Sequence, residues 1–114
     1  MSANLHDLDQ FFRDETIRAL FAQTAEDLRS LYEAEGRAVV YQAFALHDLA
    51  DDVDRTYASV AAQLGISVPQ VTNHLHAARK RFRERALARL RSLTGTDEEF
   101  RSEARDLFGV EVDV

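Results

Sequence analysis

The 114-residue chain has no cysteine, no tryptophan, one proline and four glycines. Without cysteine there is no disulfide framework, no thiolate metal site and no cysteine nucleophile, a usage that fits a reducing cytosol. Long hydrophobic runs are also missing. The longest nearly apolar stretch, Ala38 to Leu46, is interrupted by Gln42 and falls far short of the roughly 20 residues of a membrane helix. The start MSANLHDLDQ carries acids and no apolar core after a basic segment, so no secretory signal is expected. These absences predict a cytoplasmic protein with no membrane partner. Few glycines and prolines leave few places to break helices, and 46% hydrophobic residues supply a core. The expected fold is all-α, a bundle of about five helices in a single domain over residues 1–114.

Apolar positions at three- and four-residue steps place the first helices within residues 8–50. From Leu8 to about Glu35 the stripe is Leu8, Phe11, Phe12, Ile17, Leu20, Phe21, Leu28, Leu31 and Tyr32, the helical period. Gly36 follows as a left-handed cap. Ala38 to Leu49 contains β-branched residues but has no strand to pair with, and is predicted to be a buried helix. The acidic stretch from Asp48 to Arg55 is predicted to be a loop.

Residues 56–93 carry most of the information. Thr56 caps a short helix ending at Leu64, and Gly65 stops it. Ser67 with Gln70 three residues later has the form of a capping box. Ile66 and Val71 are spaced as a hydrophobic staple, and Pro69 falls in the first turn, where its missing N–H costs nothing. From Val68 to Leu93 this second helix would run roughly 40 Å, with Val71, Leu75, Ala78, Phe82, Ala86, Leu87, Leu90 and Leu93 facing inward. Thr96 with Glu99 repeats the capping pattern for a last helix over 96–108, whose apolar face is Phe100, Ala104, Leu107 and Phe108.

A short helix, a tight glycine turn and a second helix with a fixed start describe a helix-turn-helix, whose second helix enters the DNA major groove. The outward residues are Gln70, Thr72, Asn73, His74, His76, Ala77 and Lys80, types suited to base edges or phosphates. An ordinary pair of packed helices is the competing interpretation. Charge favours the first. The whole chain carries a formal net charge of -6, which taken alone speaks against nucleic acid. By segment, residues 69–93 hold Arg79, Lys80, Arg81, Arg83, Arg85, Arg89 and Arg91 against Glu84 alone, a balance of +6, whereas residues 1–68 carry -7 and residues 94–114 carry -5. A single-sign helix is what phosphate contact requires, unless those arginines pair with acids of the first and last helices.

The stretch TYASVAAQLGISVPQVTNHLHAARKRFRER, Thr56 to Arg85, resembles region 4 of the sigma-70 family of bacterial sigma factors, nearest to the extracytoplasmic-function type. The likeness runs through Tyr57, Val60, Ala61, Leu64-Gly65-Ile66-Ser67, Val71, Leu75-His76, Ala78-Arg79 and the basic run after them. The resemblance implies a winged-helix-like fold of the sigma region 4 type, a sequence-specific domain that reads the upstream element of promoter DNA with the helix over 67–93 and docks on RNA polymerase core. Gln70, Thr72, Asn73, His74 and Ala77 would face bases, and Arg79, Lys80, Arg81 and Arg83 would meet phosphates. Thr56, Gly65, Ser67, Val71 and Leu75 would shape the motif. Positions 72, 74 and 77 are often Lys or Arg in that family and are Thr72, His74 and Ala77 here, which lowers the expected DNA affinity. Nothing in the sequence resembles region 2, so the chain alone is not expected to be a complete sigma factor.

Catalysis finds little support. His74 and His76 lie two apart on a helix and point roughly 200° from each other, so they make no metal pair. Asp48, Asp51, Asp52 and Asp54 lack the glycine and terminal glutamate of a calcium loop. No phosphate-cradling glycine loop or nucleophile elbow occurs. No enzyme activity, cofactor or small-molecule substrate is expected. The alternative to DNA binding is an interaction module of the same fold, whose acidic helices bind polymerase or an anti-sigma factor.

Overall fold

The computed structural model describes residues 5–50 and 55–112, apart from the side chains of residues 5–7, 9, 11 and 12. Five α-helices follow one another: α1 (Leu5–Ala34), α2 (Ala38–Phe44), α3 (Tyr57–Leu64), α4 (Val68–Leu93) and α5 (Asp97–Phe108). The architecture is all-α, a helical bundle, and among the described residues there is no strand and hence no wing. No helix among them is long and apolar enough to cross a membrane.

The chain divides into two compact units, Glu26–Arg85 and Met1–Ala25 with Ala86–Val114, so that α1 and α4 each contribute to both. In the first, Leu28 and Tyr32 of α1, Val40, Ala43 and Phe44 of α2, Val60 and Ala61 of α3, and Val71, Leu75 and Ala78 of α4 form one core. The rings of Phe44 and Phe82 lie 5.5 Å apart at its edge. In the second, Leu20, Leu90, Phe100 and Ala104 are buried, with Phe21, Leu87, Leu107, Val110 and Val112 packed on them.

Helix ends follow local chemistry. Gly36, at φ 71°, closes α1 in a Schellman motif: the Arg37 N–H donates to the Tyr32 carbonyl at 2.8 Å and the Gly36 N–H to that of Glu33 at 3.1 Å. Gly65, at φ 68°, ends α3, a backbone conformation open to glycine without strain. At the start of α3 the Thr56 hydroxyl accepts from Ser59 N–H, and the Ser59 hydroxyl accepts from Thr56 N–H, both at 3.0 Å. This second capping box has serine in the place usually taken by Glu or Gln. Thr96 accepts from Glu99 N–H, but the Glu99 carboxylate reaches Gly95 N–H instead of Thr96, so this box closes one residue early.

Three sequence expectations need correction. The predicted helix from Ala38 to Leu49 is α-helical only to Phe44; Ala45–Leu49 winds as a π-turn closed by Ala50 N–H on the Ala45 carbonyl at 2.9 Å. The predicted loop therefore begins two residues later than Asp48, and its residues 51–54 lie outside the described residues, as do the Phe11 and Phe12 side chains. Leu8, Leu31 and Leu93 are 42%, 38% and 58% exposed, because the buried seam of α1 narrows to Leu20, Thr24, Leu28 and Tyr32 at i,i+4 spacing, and Leu93 ends its helix. Thr24 is buried on that seam and its hydroxyl donates to the Leu20 carbonyl at 2.7 Å.

Candidate nucleic-acid interface

Helix α3, the turn at Gly65 to Ser67 and helix α4 form the helix-turn-helix, its two helices sharing the core through Val60, Ala61, Val71 and Leu75. The start of α4 is fixed twice over. Ser67 N–H donates to Gln70 Oε1 at 2.8 Å, and Gln70 N–H donates to Ser67 Oγ at 3.2 Å. Ile66 before the cap packs on the core that buries Val71, as a hydrophobic staple does.

At about 100° per residue, the side of α4 opposite Val71, Leu75, Ala78 and Phe82 carries Asn73, His76 and Lys80, with Arg83 toward its edge and Thr72 on the flank, all exposed. Of the five residues expected to face bases, Asn73 lies on this side and Thr72 beside it. The Thr72 hydroxyl donates to the Val68 carbonyl at 3.2 Å. Gln70 is exposed but its carbonyl oxygen is engaged in the cap, and His74 and Ala77 sit half-buried on the flank. His76, absent from that expected set, stands in the middle of the outward stripe. The i, i+3, i+7 and i+10 relation of Asn73, His76, Lys80 and Arg83 was the signal for it.

The four expected phosphate contacts divide into two pairs. Arg79 holds Asp48 of the π-turn through two bonds, Nε to Oδ2 at 2.6 Å and Nη2 to Oδ1 at 2.8 Å. Arg81 holds Glu35 through two bonds of 2.8 and 2.7 Å and lies over the Tyr32 ring at 4.7 Å. Farther along, Arg85 pairs with Asp27 at 2.8 Å, Arg89 bonds Gln23 at 3.0 Å, and Arg91 pairs with Asp97. Lys80 and Arg83 are exposed and make no ion pair with any described residue. With His76 and Arg79 they line a shallow depression of about 170 Å3.

The pairs leave an electrostatic signature. Burial pushes the Asp48 carboxyl up, but hydrogen bonds from Arg79 and from His47, whose Nδ1 is 2.6 Å away, outweigh it and hold the group below its ordinary range. The bond to Asp48 raises Arg79, and the bond from Arg81 lowers Glu35. Among the described residues no three His, Asp or Glu side chains converge on a possible metal site. No family model, no curated protein and no solved structure matches the chain.

Proposed function

We propose that this protein is a sequence-specific DNA-binding domain of a sigma-like transcription initiation factor, working in the cytoplasm and reading duplex promoter DNA with α4. One observation carries the reading: from Pro69 to Arg83 the helix presents Thr72, Asn73, His76, Lys80 and Arg83 to solvent and has no carboxylate. Such a surface offers amide and hydroxyl groups to base edges beside cations for the flanking phosphates. The resemblance of residues 56–85 to sigma region 4 supports the same assignment. It also supplies RNA polymerase core as the partner that adds affinity.

The internal pairing of Arg79, Arg81 and Arg85 favours a second reading, an interaction module of the same fold that binds polymerase or an anti-sigma factor and has little DNA affinity. Selection from random duplexes followed by a salt titration separates the two. DNA binding gives a log K that falls with log salt at about -0.9 per phosphate contact, so about -2 if only Lys80 and Arg83 neutralise phosphates. Absence of sequence-dependent binding at about 50 mM salt overturns the DNA reading in favour of the second.

A further inference from the structure

Five of the seven basic residues of α4 spend their hydrogen bonds inside the fold, on Asp48, Glu35, Asp27, Gln23 and Asp97. Four of these partners are carboxylates, and Gln23 is a neutral amide. Lys80 and Arg83 make no ion pair with any described residue, and these two line one depression with His76 and Arg79. The depression, about 170 Å3, is several times the roughly 30 Å3 share of a water molecule. Its wall is fixed, because the Arg79 guanidinium is tied to Asp48 and packs near His47 of the π-turn. Lys80 and Arg83 present only donors to it, and His76 presents at least one ring N–H.

We propose that this depression is a phosphate site, taking one phosphodiester of the DNA backbone, and that His76 makes its occupation proton-linked. The inference rests on the DNA-binding reading above for its ligand, though not for its geometry. Lys80 and Arg83 supply fixed positive charge. A neutral imidazole has one N–H donor, whereas the imidazolium has two and a positive charge, and histidine is the side chain that changes between these forms between pH 5 and 8. An anion that binds the protonated ring more tightly takes up a proton as it binds, so affinity rises as pH falls. The charged groups around His76 are Arg79, Lys80 and Arg83 on its own helix. Asp48, His47 and Tyr57 stand behind Arg79 on the neighbouring elements. His47 is the other histidine of this neighbourhood, and it contacts the Asp48 carboxylate instead of lining the depression.

The test uses the full chain and a labelled duplex of the selected sequence, with anisotropy read at pH 6 and pH 8 at constant ionic strength. Wild type is expected to bind about fivefold more tightly at pH 6. His76→Gln flattens this ratio to near one, and His47→Gln keeps it. A His76→Gln variant that keeps the full ratio overturns the proposal and leaves DNA binding standing. If no duplex binds at either pH, the DNA reading fails, and inorganic phosphate becomes the probe. Displacement of the His76 ring resonances in an NMR titration with phosphate then sustains the site, and unmoved resonances overturn it.

Discussion

Arg79 and Asp48 face each other across 31 residues of sequence and share two hydrogen bonds, of 2.6 and 2.8 Å. The pair fastens the outer edge of α4 to the π-turn, and it withholds a cation from the surface where phosphates are proposed to lie. Asp48→Asn is therefore expected to act in two opposite directions. Stability falls by about 1 kcal/mol, the scale of a partly exposed ion pair, while Arg79 is released toward DNA. Denaturant titration checks the first. A salt dependence steeper by about one phosphate contact, with tighter binding at low salt, checks the second.

The same carboxylate sets an acid limit. Its native value lies below the ordinary 3.8, so its contribution is fully present above that value and is lost as pH falls through the lower native one. Glu35 is displaced in the same direction by Arg81. Wild type is expected to lose stability progressively below about pH 4. Asp48→Asn, already lacking the group, should show a shallower decline over that range in thermal melts recorded at successive pH values.

Arg81 belongs to the scaffold by the same reasoning, since its guanidinium is committed to Glu35 and to the face of Tyr32. A double-mutant cycle over Arg81→Ala and Glu35→Ala should return a small favourable coupling, as a solvent-exposed ion pair does. Arg81→Lys should recover only part of it, because an ammonium can neither fork onto a carboxylate nor stack on the ring as a guanidinium does. The salt dependence of DNA binding should not change in any of these variants. A slope lowered by one contact would move Arg81 from the scaffold to the phosphates.

Removing the Ser67 hydroxyl breaks one half of the capping box and leaves the Gln70 N–H without its acceptor. Ser67→Ala is expected to cost about 1 kcal/mol, read as a lower midpoint in chemical denaturation with an unchanged slope. An unchanged midpoint would show that the Gln70 side chain and the staple of Ile66 and Val71 suffice to fix the helix start.

Asn73 is the amide on the outward side of α4 with no hydrogen bond to another described residue. If it reads a base, Asn73→Ala should weaken binding to the selected duplex by about 1 to 3 kcal/mol and leave random DNA nearly unaffected. Equal losses on both duplexes would place it on the backbone instead.

What the sequence made legible were interactions of short range. The Ser67–Gln70 box, the stop at Gly65 and the cap at Gly36 depend on residues within five positions of one another, and α4 runs over the predicted Val68–Leu93. The inward residues Val71, Leu75, Ala78 and Ala86 are fully buried, as a 3.6-residue period dictates. The partners of the arginines were not legible. Asp48, Glu35 and Asp27 lie 31, 46 and 58 residues away, and a list of acids and bases does not say which of them tertiary packing brings together. The π-turn was hidden for a related reason, since its residues Ala45 to Leu49 have ordinary helix-forming composition and the extra residue per turn leaves no local mark. Consequently the expected phosphate set read all four cations alike, although the fold engages two of them.

The cap at Ser67 also bears on what a binding-site logo for this protein would look like. Gln70 commits its carbonyl oxygen to a backbone N–H, so on the proposed DNA reading it would meet a base pair chiefly as a donor, without the donor-and-acceptor pairing by which an amide singles out adenine. Asn73 keeps both halves of its amide. A motif recovered by selection should then be short and unevenly weighted, with one column of high information content opposite Asn73 and a neighbouring column, opposite Gln70, that tolerates guanine and thymine acceptors alike.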